Sequence, residues 1–361
     1  AELVWISDTD YHLVLHEAHR CIRNPSVESK IAIPIDEIKR PDTQFRKGQV
    51  TAVDTAEKRV ALADGDDQPY DYLLLAVGTQ TAFYGIEGLA DNALTLKSLD
   101  DVREIHRAVT EAADAADADD PARIVVGGAG LSGIQTAGEL AELRDDEGYA
   151  MQIQLVEGLD DVLPGQDPEL QGRLRRQLEE AGVEILTGEF ISEVDEETVY
   201  VGDEDGRELA YDVVIWTGGI TGRDEVAGVD VEKDERSNRV HAGATFETSA
   251  DGVFAIGDTA LVDQGDEEVA PPTAQAAWQA AEVAGENLAR ACRGAPLKSW
   301  RHEDKGTLVS VGEDAVAHDV VGVPIRTFGG LPARFLKKAV AARWIATVAS
   351  PGRAVTAWAD M

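Results

Sequence analysis

The sequence predicts an α/β protein built on parallel, dinucleotide-binding sheets, and three stretches carry that prediction. Residues 123–157 read as a whole βαβ unit: an apolar strand at Ile124-Val125-Val126, the turn Gly128-Ala129-Gly130-Leu131-Ser132-Gly133, a helix through Leu143, and a second strand from Met151 that ends in the acid Glu157. Val213-Val214-Ile215-Trp216 runs into Thr217-Gly218-Gly219, again a strand closed by glycines. Residues 252–258 form a third apolar strand that delivers Asp258 at its C-terminal end, where open α/β sheets bind ligands.

The other elements follow in order. Residues 3–7 read as a buried strand and 70–77 as another, stopping at Gly78-Thr79. The acidic, Ala-rich stretch 100–120 reads as a helix and a linker. Leu170, Leu174 and Leu178 at helical spacing make 168–181 an amphipathic helix that Gly182 ends. Residues 183–186 are the next strand, and 199–209 a hairpin turned at Asp205-Gly206. Residues 273–291 look helical throughout, and 305–361 hold two short strand-like pieces followed by a helical segment.

Each glycine of the first unit has a physical task. Gly128 makes the tight turn, Gly130 lets a pyrophosphate approach the backbone, and Gly133 lets the helix pack on the strand. The helix N-terminus then meets phosphate with its partial positive charge. Glu157 lies near the spacing expected of an acid that accepts the adenosine ribose hydroxyls, and it would repel a 2′-phosphate, so NADH is favoured over NADPH.

Among 361 residues, 68 are acidic and 33 basic, a formal net charge of −35. That balance argues against nucleic acid as a partner, because phosphate backbones need a basic face. The acids are interspersed with intact apolar strands, so the pattern is that of a folded, acid-coated protein, resembling cytoplasmic proteins of salt-in halophiles. Two cysteines, Cys21 and Cys292, without a C-x-x-C or a signal-peptide pattern, imply a reducing compartment and ordinary buried thiols. His12, His16 and His19 share helical spacing, but no ligand set accompanies them, and packing or surface roles are expected in place of a metal site.

With these motifs in place, the chain resembles the type II NADH dehydrogenases, single-chain flavoproteins that pass electrons from NADH to membrane quinone. The resemblance spans essentially the whole chain. It rests on residues 72–79 with Gly85, Leu94-Thr95-Leu96-Lys97-Ser98-Leu99, the glycine unit, Asp167-Pro168-Glu169-Leu170, Trp216-Thr217-Gly218-Gly219, residues 252–258, Ala274-Gln275-Ala276-Ala277-Trp278-Gln279 and Asp304-Lys305-Gly306. It implies two Rossmann-like domains: an FAD domain split into 1–97 and 247–305, an NADH domain at 98–246 inserted between, and a C-terminal membrane-association or dimerisation region at 306–361. It further implies cofactor contacts from Thr79, Gly218, Gly219, Gly257, Asp258 and Lys305, with Asp258 on the flavin ribityl chain and Gln275 and Gln279 lining the quinone-facing side of the ring. Asp258 also reads as a strand-end turn carboxylate, and the two glutamines as one exposed helix face.

Two departures from the family pattern stand out. Family members begin with a strand and a first G-x-G-x-x-G for the FAD pyrophosphate, whereas this sequence starts at what looks like the second strand of that unit, so weakened FAD binding is the expectation. Where an acid usually holds the FAD ribose the chain has Ser7, with Asp8 one step on as a substitute. Gln135 stands where many relatives carry a glutamate early in the NADH-domain helix, and an amide cannot relay a proton as a carboxylate can.

The C-terminal stretch 326–353 contains no Asp or Glu but carries Arg326, Arg334, Lys337, Lys338, Arg343 and Arg353 among Leu331, Phe335, Leu336, Val340, Trp344, Ile345 and Val348. A basic amphipathic helix of this kind suits anionic lipid, with dimerisation or core packing as the rival reading. The resemblance thus implies a non-proton-pumping NADH:quinone oxidoreductase, expected to be cytoplasmic and peripheral on the inner face of the membrane. A sulfide:quinone reductase-like flavoenzyme and a non-catalytic NADH-binding protein are the alternatives.

Overall fold

The computed structural model describes residues 2–202 and 206–359. They form two compact units. The first comprises 1–11, 34–80 and 220–304; the second 12–33, 81–219 and 305–361.

The second unit is built around a four-stranded parallel sheet in the order Val183–Thr187, Met151–Glu157, Ala122–Gly127, Val213–Trp216. The run Ile124-Val125-Val126 and the strand Val213–Trp216 are continuously apolar and buried, as expected of parallel strands covered by helices. Ile124, Val125, Val126, Leu155 and Ile215 are fully buried. The helix Leu99–Ala115 starts at a capping box in which Ser98 and Asp101 satisfy each other's backbone N–H groups. The helix Leu131–Glu147 follows the glycine loop, and Pro168–Glu180 buries Leu170, Leu174 and Leu178 completely. A three-stranded antiparallel sheet, Ile191–Val194, Thr198–Val201 and Arg207–Ala210, supplies the expected hairpin; Asp205 of its expected turn lies outside the described residues.

The chain's end holds three antiparallel strands, not two: Thr307–Val311, Asp314–His318 and Thr327–Gly329, followed by helices Leu331–Val348 and Pro351–Ala357. Val309, Val311 and Val316 join the same core as Ile124 and Leu140. Residues 306–359 thus pack within the second unit, against the core of its parallel sheet. Residues 81–97 also pack there, and 220–246 pack in the first unit, so the compact units do not follow the expected 98–246 boundaries.

In the first unit, Leu3–Ser7 pairs in parallel with Thr43–Lys47, and Leu73–Leu75 with Val253–Ala255. The first strand is half-buried where a buried one was expected, and Leu3 is exposed. The strand expected over 70–77 is confined to Leu73–Leu75. The helix Ala274–Ala291, capped by Thr273, buries Ala276, Ala280 and Ala284 against Phe246, Phe254 and Trp300.

Candidate functional site

The glycine loop of the second unit joins the end of Ala122–Gly127 to the start of Leu131–Glu147. Gly128 sits at φ +90°, and a Cβ there would meet Gly218 Cα at 2.5 Å. A Cβ on Gly133 would lie 1.8 Å from the Gly128 carbonyl oxygen, so the first helical turn touches the loop backbone and no larger residue fits. Gly130, by contrast, faces open space, and as the helix N-cap it offers no side-chain acceptor to the first-turn N–H groups. Those donors are left for an anion.

The loop is held from both sides. Gly128 N donates to Val156 O at 2.7 Å and Leu163 N to Ala129 O at 2.7 Å. From the strand Val213–Trp216, Thr217 Oγ1 donates to the carbonyls of Gly127 and Gly128 at 3.0 and 2.9 Å. Gly219 O accepts from Ala82 N at 3.2 Å, and a Cβ on Gly219 would strike Tyr84.

Glu157 sits at the strand end beside the loop. Its Oε2 accepts from Ala129 N at 2.8 Å and its Oε1 from Leu159 N at 3.0 Å. The carboxylate is pre-aimed by the loop it serves, and each oxygen keeps a second lone-pair direction for ribose hydroxyls. These residues, together with the open face at Gly130, fit a dinucleotide.

In the first unit, Gly257–Thr259 form a single tight turn after Val253–Ala255, with Gly257 at φ +63° beside Ala277 of the long helix. The buried Arg239 holds this turn through the carbonyls of Asp258 and Ala260 at 2.7 and 2.8 Å, which places the half-buried Asp258 carboxylate at a parallel strand's C-terminal end. Gly78 N donates to Thr259 Oγ1 at 2.7 Å, and Thr79 beside it is buried. This strand-end acceptor set fits a flavin ribityl chain. Gln275 is half-buried on the first turn of the helix. Gln279 spends both ends of its amide on the Glu303 backbone, at 2.9 and 3.0 Å, so it braces the chain there. Ser7 Oγ accepts from Thr9 N at 3.3 Å, Asp8 is exposed next to it, and Lys305 is exposed in the second unit.

Gln135, in the second unit, belongs to a buried polar cluster that sequence reasoning missed. Its amide lies 3.2 Å from Ser310 Oγ and 3.3 Å from His19 Nε2. The ammonium of Lys337 can only donate, so the Gln135 oxygen faces it, at 2.8 Å, and the nitrogen donates to Leu131 O. Lys337 Nζ also reaches Glu17 Oε1 at 3.3 Å, and Glu17 Oε2 accepts from Arg20 Nε at 2.6 Å. Burial alone would raise the Glu17 carboxyl, but Lys337 and Arg20 hold it well below the usual carboxylate range. Burial lowers Lys337 and, with Lys337 beside it, pushes His19 well below the usual histidine value.

One helical turn beyond Gln135, Glu139 is wholly buried and pushed up to about 7 by desolvation, against the pull of Arg20, Arg23 and Lys337. The histidines do not form one helical face: His12 lies in the strand Tyr11–Leu13, accepting from Trp344 Nε1 at 3.2 Å, while His16 and His19 flank Glu17. The only local signal for the cluster was the run His16-Glu17-Ala18-His19-Arg20; its other members come from far along the chain.

The C-terminal helix Leu331–Val348 buries Ala333, Lys337, Ala341 and Ile345 and exposes Leu331 and Phe335, with Phe335 edge-on to Trp358 at 5.4 Å. Its basic residues are less available than their number suggested. Arg326 pairs with Asp167 and Asp319, Arg334 with Glu313 and Lys337 with Glu17, and Arg353 donates to the carbonyls of Ser29 and Ala32. Among the described residues no helix is long and apolar enough to cross a membrane. Cys21 is buried, with its thiol pushed up to about 12 by burial, whereas Cys292 is exposed where a buried thiol was expected; neither is in a disulfide.

Residues 12–281 match the family model described as pyridine nucleotide-disulphide oxidoreductase. The chain is 29% identical over 360 residues to the type II NADH:quinone oxidoreductase of Staphylococcus saprophyticus, covering 95% of this chain and 88% of that protein. It is 28% identical over 370 residues to the protein of the same name from Staphylococcus aureus, covering 98% and 90%. Among solved structures, NDH2 from Plasmodium falciparum in complex with NADH superposes with a TM-score of 0.84 at 15% identity, covering 99% of this chain and 92% of that one. The sulfide:quinone oxidoreductase of Aquifex aeolicus superposes with a TM-score of 0.81 at 17% identity, covering 97% and 86%.

Proposed function

The chain belongs to the pyridine nucleotide-disulphide oxidoreductase family, and on that premise we propose that it is an FAD-dependent NADH:quinone oxidoreductase. The observation that carries this reading is the glycine loop with its open Gly130 face and its pre-aimed Glu157, in a chain whose relatives named for this activity match it nearly end to end. The second unit takes NADH: the free first-turn N–H groups meet the pyrophosphate, and Glu157 accepts the ribose hydroxyls and disfavours a 2′-phosphate. The first unit takes FAD, with Asp258 on the ribityl chain and Gln275 toward the ring. When bound, the flavin would supply the two-electron chemistry between nicotinamide and quinone, with Asp258 and Gln275 holding it and the glycine loop and Glu157 holding the dinucleotide. The protein's share is geometry: Thr217 and Glu157 hold the loop rigid, so little ordering is left to be done when the dinucleotide binds.

We place the protein on the inner membrane surface through Leu331, Phe335, Val355 and Trp358. Leu331, Phe335 and Val355 are exposed, and with the neighbouring basic side chains largely paired the attachment is more apolar than electrostatic.

The sulfide:quinone reading rests on a fold likeness alone. A buried Cys21 thiol that stays protonated and a Cys292 outside any disulfide do not supply a redox pair. The test is to purify the chain, quantify bound flavin, and follow NADH oxidation and sulfide oxidation with a quinone acceptor. NADH-dependent quinone reduction without the sulfide reaction is expected. Sulfide-dependent reduction would transfer the assignment to the second reading, and a flavin-free protein that binds NADH would make it a non-catalytic binder.

A further inference from the structure

Beside Glu157 the second unit carries an aromatic side chain that the glycine loop does not explain. Phe190 is 65% exposed, yet its position is fixed. The ring lies against Gly158: a Cβ on that glycine would come within 2.3 Å of two ring atoms, so only glycine leaves the ring its seat next to the acid. The Phe190 carbonyl accepts from Gly202 N at 2.7 Å, one residue ahead of the strand Ile191–Val194. The two residues before it are tied to the end of the acid's own strand, with Gly188 N donating to Leu159 O at 2.9 Å and Glu189 N to Glu157 O at 3.4 Å.

The order of the sheet sets a direction. Val183–Thr187 lies next to Met151–Glu157, which lies next to Ala122–Gly127, and all are parallel, so their C-terminal ends line up along one edge. The open Gly130 face follows the last of these strands, and Glu157 ends the middle one. A dinucleotide with its pyrophosphate at Gly130 and its ribose at Glu157, extended along that edge, brings its base to the end of Val183–Thr187. The residues that follow that end are Gly188, Glu189 and Phe190.

Single exposed apolar residues are ordinary on protein surfaces. Phe190 differs in having a seat that depends on glycine, an anchored backbone and a place beside the ribose acceptor. A purine has two flat faces and a rim of hydrogen-bonding groups. A phenyl ring covers one face and removes apolar surface of both partners from water. It has neither donor nor acceptor, so it cannot read the rim.

We propose that Phe190, seated on Gly158, is the base platform of the nucleotide site and takes the adenine of NADH by its face. The inference rests on the function proposed above and divides the work of recognition: Glu157 selects at the ribose, and Phe190 adds affinity with little regard to which purine is bound.

The experiment uses the full-length, flavin-loaded protein, with ligand binding followed by calorimetry and flavin reduction by stopped flow. Phe190→Ala should weaken binding of both ADP-ribose and NADH at least about fivefold, the low end of what stacking a base on an aromatic ring supplies. Phe190→Tyr keeps the ring and should stay within about twofold of wild type. Gly158→Ala, with Phe190 intact, should reproduce the loss because its methyl takes the seat of the ring. Reduced nicotinamide mononucleotide has no adenine and should reduce the flavin of wild type and Phe190→Ala at rates within about twofold of each other, while reduced nicotinamide hypoxanthine dinucleotide should bind wild type within about threefold of NADH, since every base offers a face. Unchanged ADP-ribose binding in Phe190→Ala overturns the proposal. An equal loss with the mononucleotide also overturns it, by showing a disturbed loop in place of a lost platform, and a strong preference for NADH over the hypoxanthine analogue overturns recognition by the face. The binding measurements require no quinone. A protein in which Phe190 governs ADP-ribose binding but which reduces no quinone would therefore lose the functional reading alone, and one that reduces quinone with NADH while Phe190→Ala binds normally would lose this inference alone.

Discussion

Lys337 Nζ lies 3.3 Å from Glu17 Oε1, and the two residues, 320 positions apart in sequence, are 6% and 1% exposed. Lys337 is the one charged side chain on the buried face of the C-terminal helix, and Glu17 neutralises it and Arg20 together. Removing the acid strands two buried cations, whereas removing the lysine leaves Glu17 paired with Arg20. Glu17→Ala is therefore expected to cost about 3–5 kcal/mol, and Lys337→Met only about 1 kcal/mol. Urea unfolding of both variants measures this, and equal losses would show that the pair does not organise the helix.

Gly133 and Gly130 should respond differently to the same substitution. Gly133→Ala drives a methyl to 1.8 Å from Gly128 O and should lower the melting temperature and abolish NADH binding together. Gly130→Ala meets open space, so the fold should survive while the methyl intrudes where the pyrophosphate approaches. Thermal melts with NADH titration by calorimetry separate the two effects. Equal binding by Gly130→Ala and wild type would remove that face from the site.

Glu157 should set nucleotide choice. Glu157→Ser loses ribose acceptors and the repulsion of a 2′-phosphate, eroding the preference for NADH by about 1–3 kcal/mol. It also frees Ala129 N and Leu159 N, so a small loss of loop stability should accompany it. Steady-state kinetics with NADH and NADPH are the check, and an unchanged ratio counts against the role.

Stability should carry a pH signature from Glu139. Its folded value, about 7, lies above the ordinary 4.5, so its contribution is fully present below pH 4.5 and is lost as pH rises through 7. The difference in unfolding free energy between wild type and Glu139→Gln should therefore fall across that window. By linkage the change is at most about 3 kcal/mol. Chemical denaturation at several pH values reads it directly, and a flat difference would mean that Arg20, Arg23 and Lys337 already hold the carboxylate charged.

Membrane attachment should depend on the exposed apolar residues more than on charge. Replacing Leu331 and Phe335 by Ser touches neither the buried face nor the Lys337 pair. It should release the protein from anionic vesicles with little change in melting temperature, and raising the salt should weaken the wild type's binding only modestly. Co-sedimentation measures both. Unchanged binding with an altered oligomeric state would assign this face to a second copy of the chain.

Much of the dinucleotide site was legible because its parts are close in sequence. Gly128, Gly130, Gly133 and Glu157 fall within one βαβ unit, and the strands Met151–Glu157 and Val213–Trp216 have the bounds read from their apolar runs. Gln279 was harder: its helix face was readable, but the Glu303 backbone that takes its amide arrives from outside the helix. The strand read over 70–77 shrank to Leu73–Leu75, since an apolar run marks a candidate strand and only a partner strand decides how much of it pairs.

By itself the sequence determined the α/β class, the glycine loop, the acid at its strand end and the amphipathic character of the C-terminal helix, all consequences of local spacing and residue type. Tertiary structure alone decided which face of that helix is buried, that its lysine is spent on Glu17, and that Glu139 is fully buried beside His19 and Arg23. The physical reason is that burial and electrostatic environment belong to sets of residues distant in sequence. A carboxyl at 17 and one at 139 look alike in the sequence, yet packing against two cations drives the first down, and desolvation drives the second up.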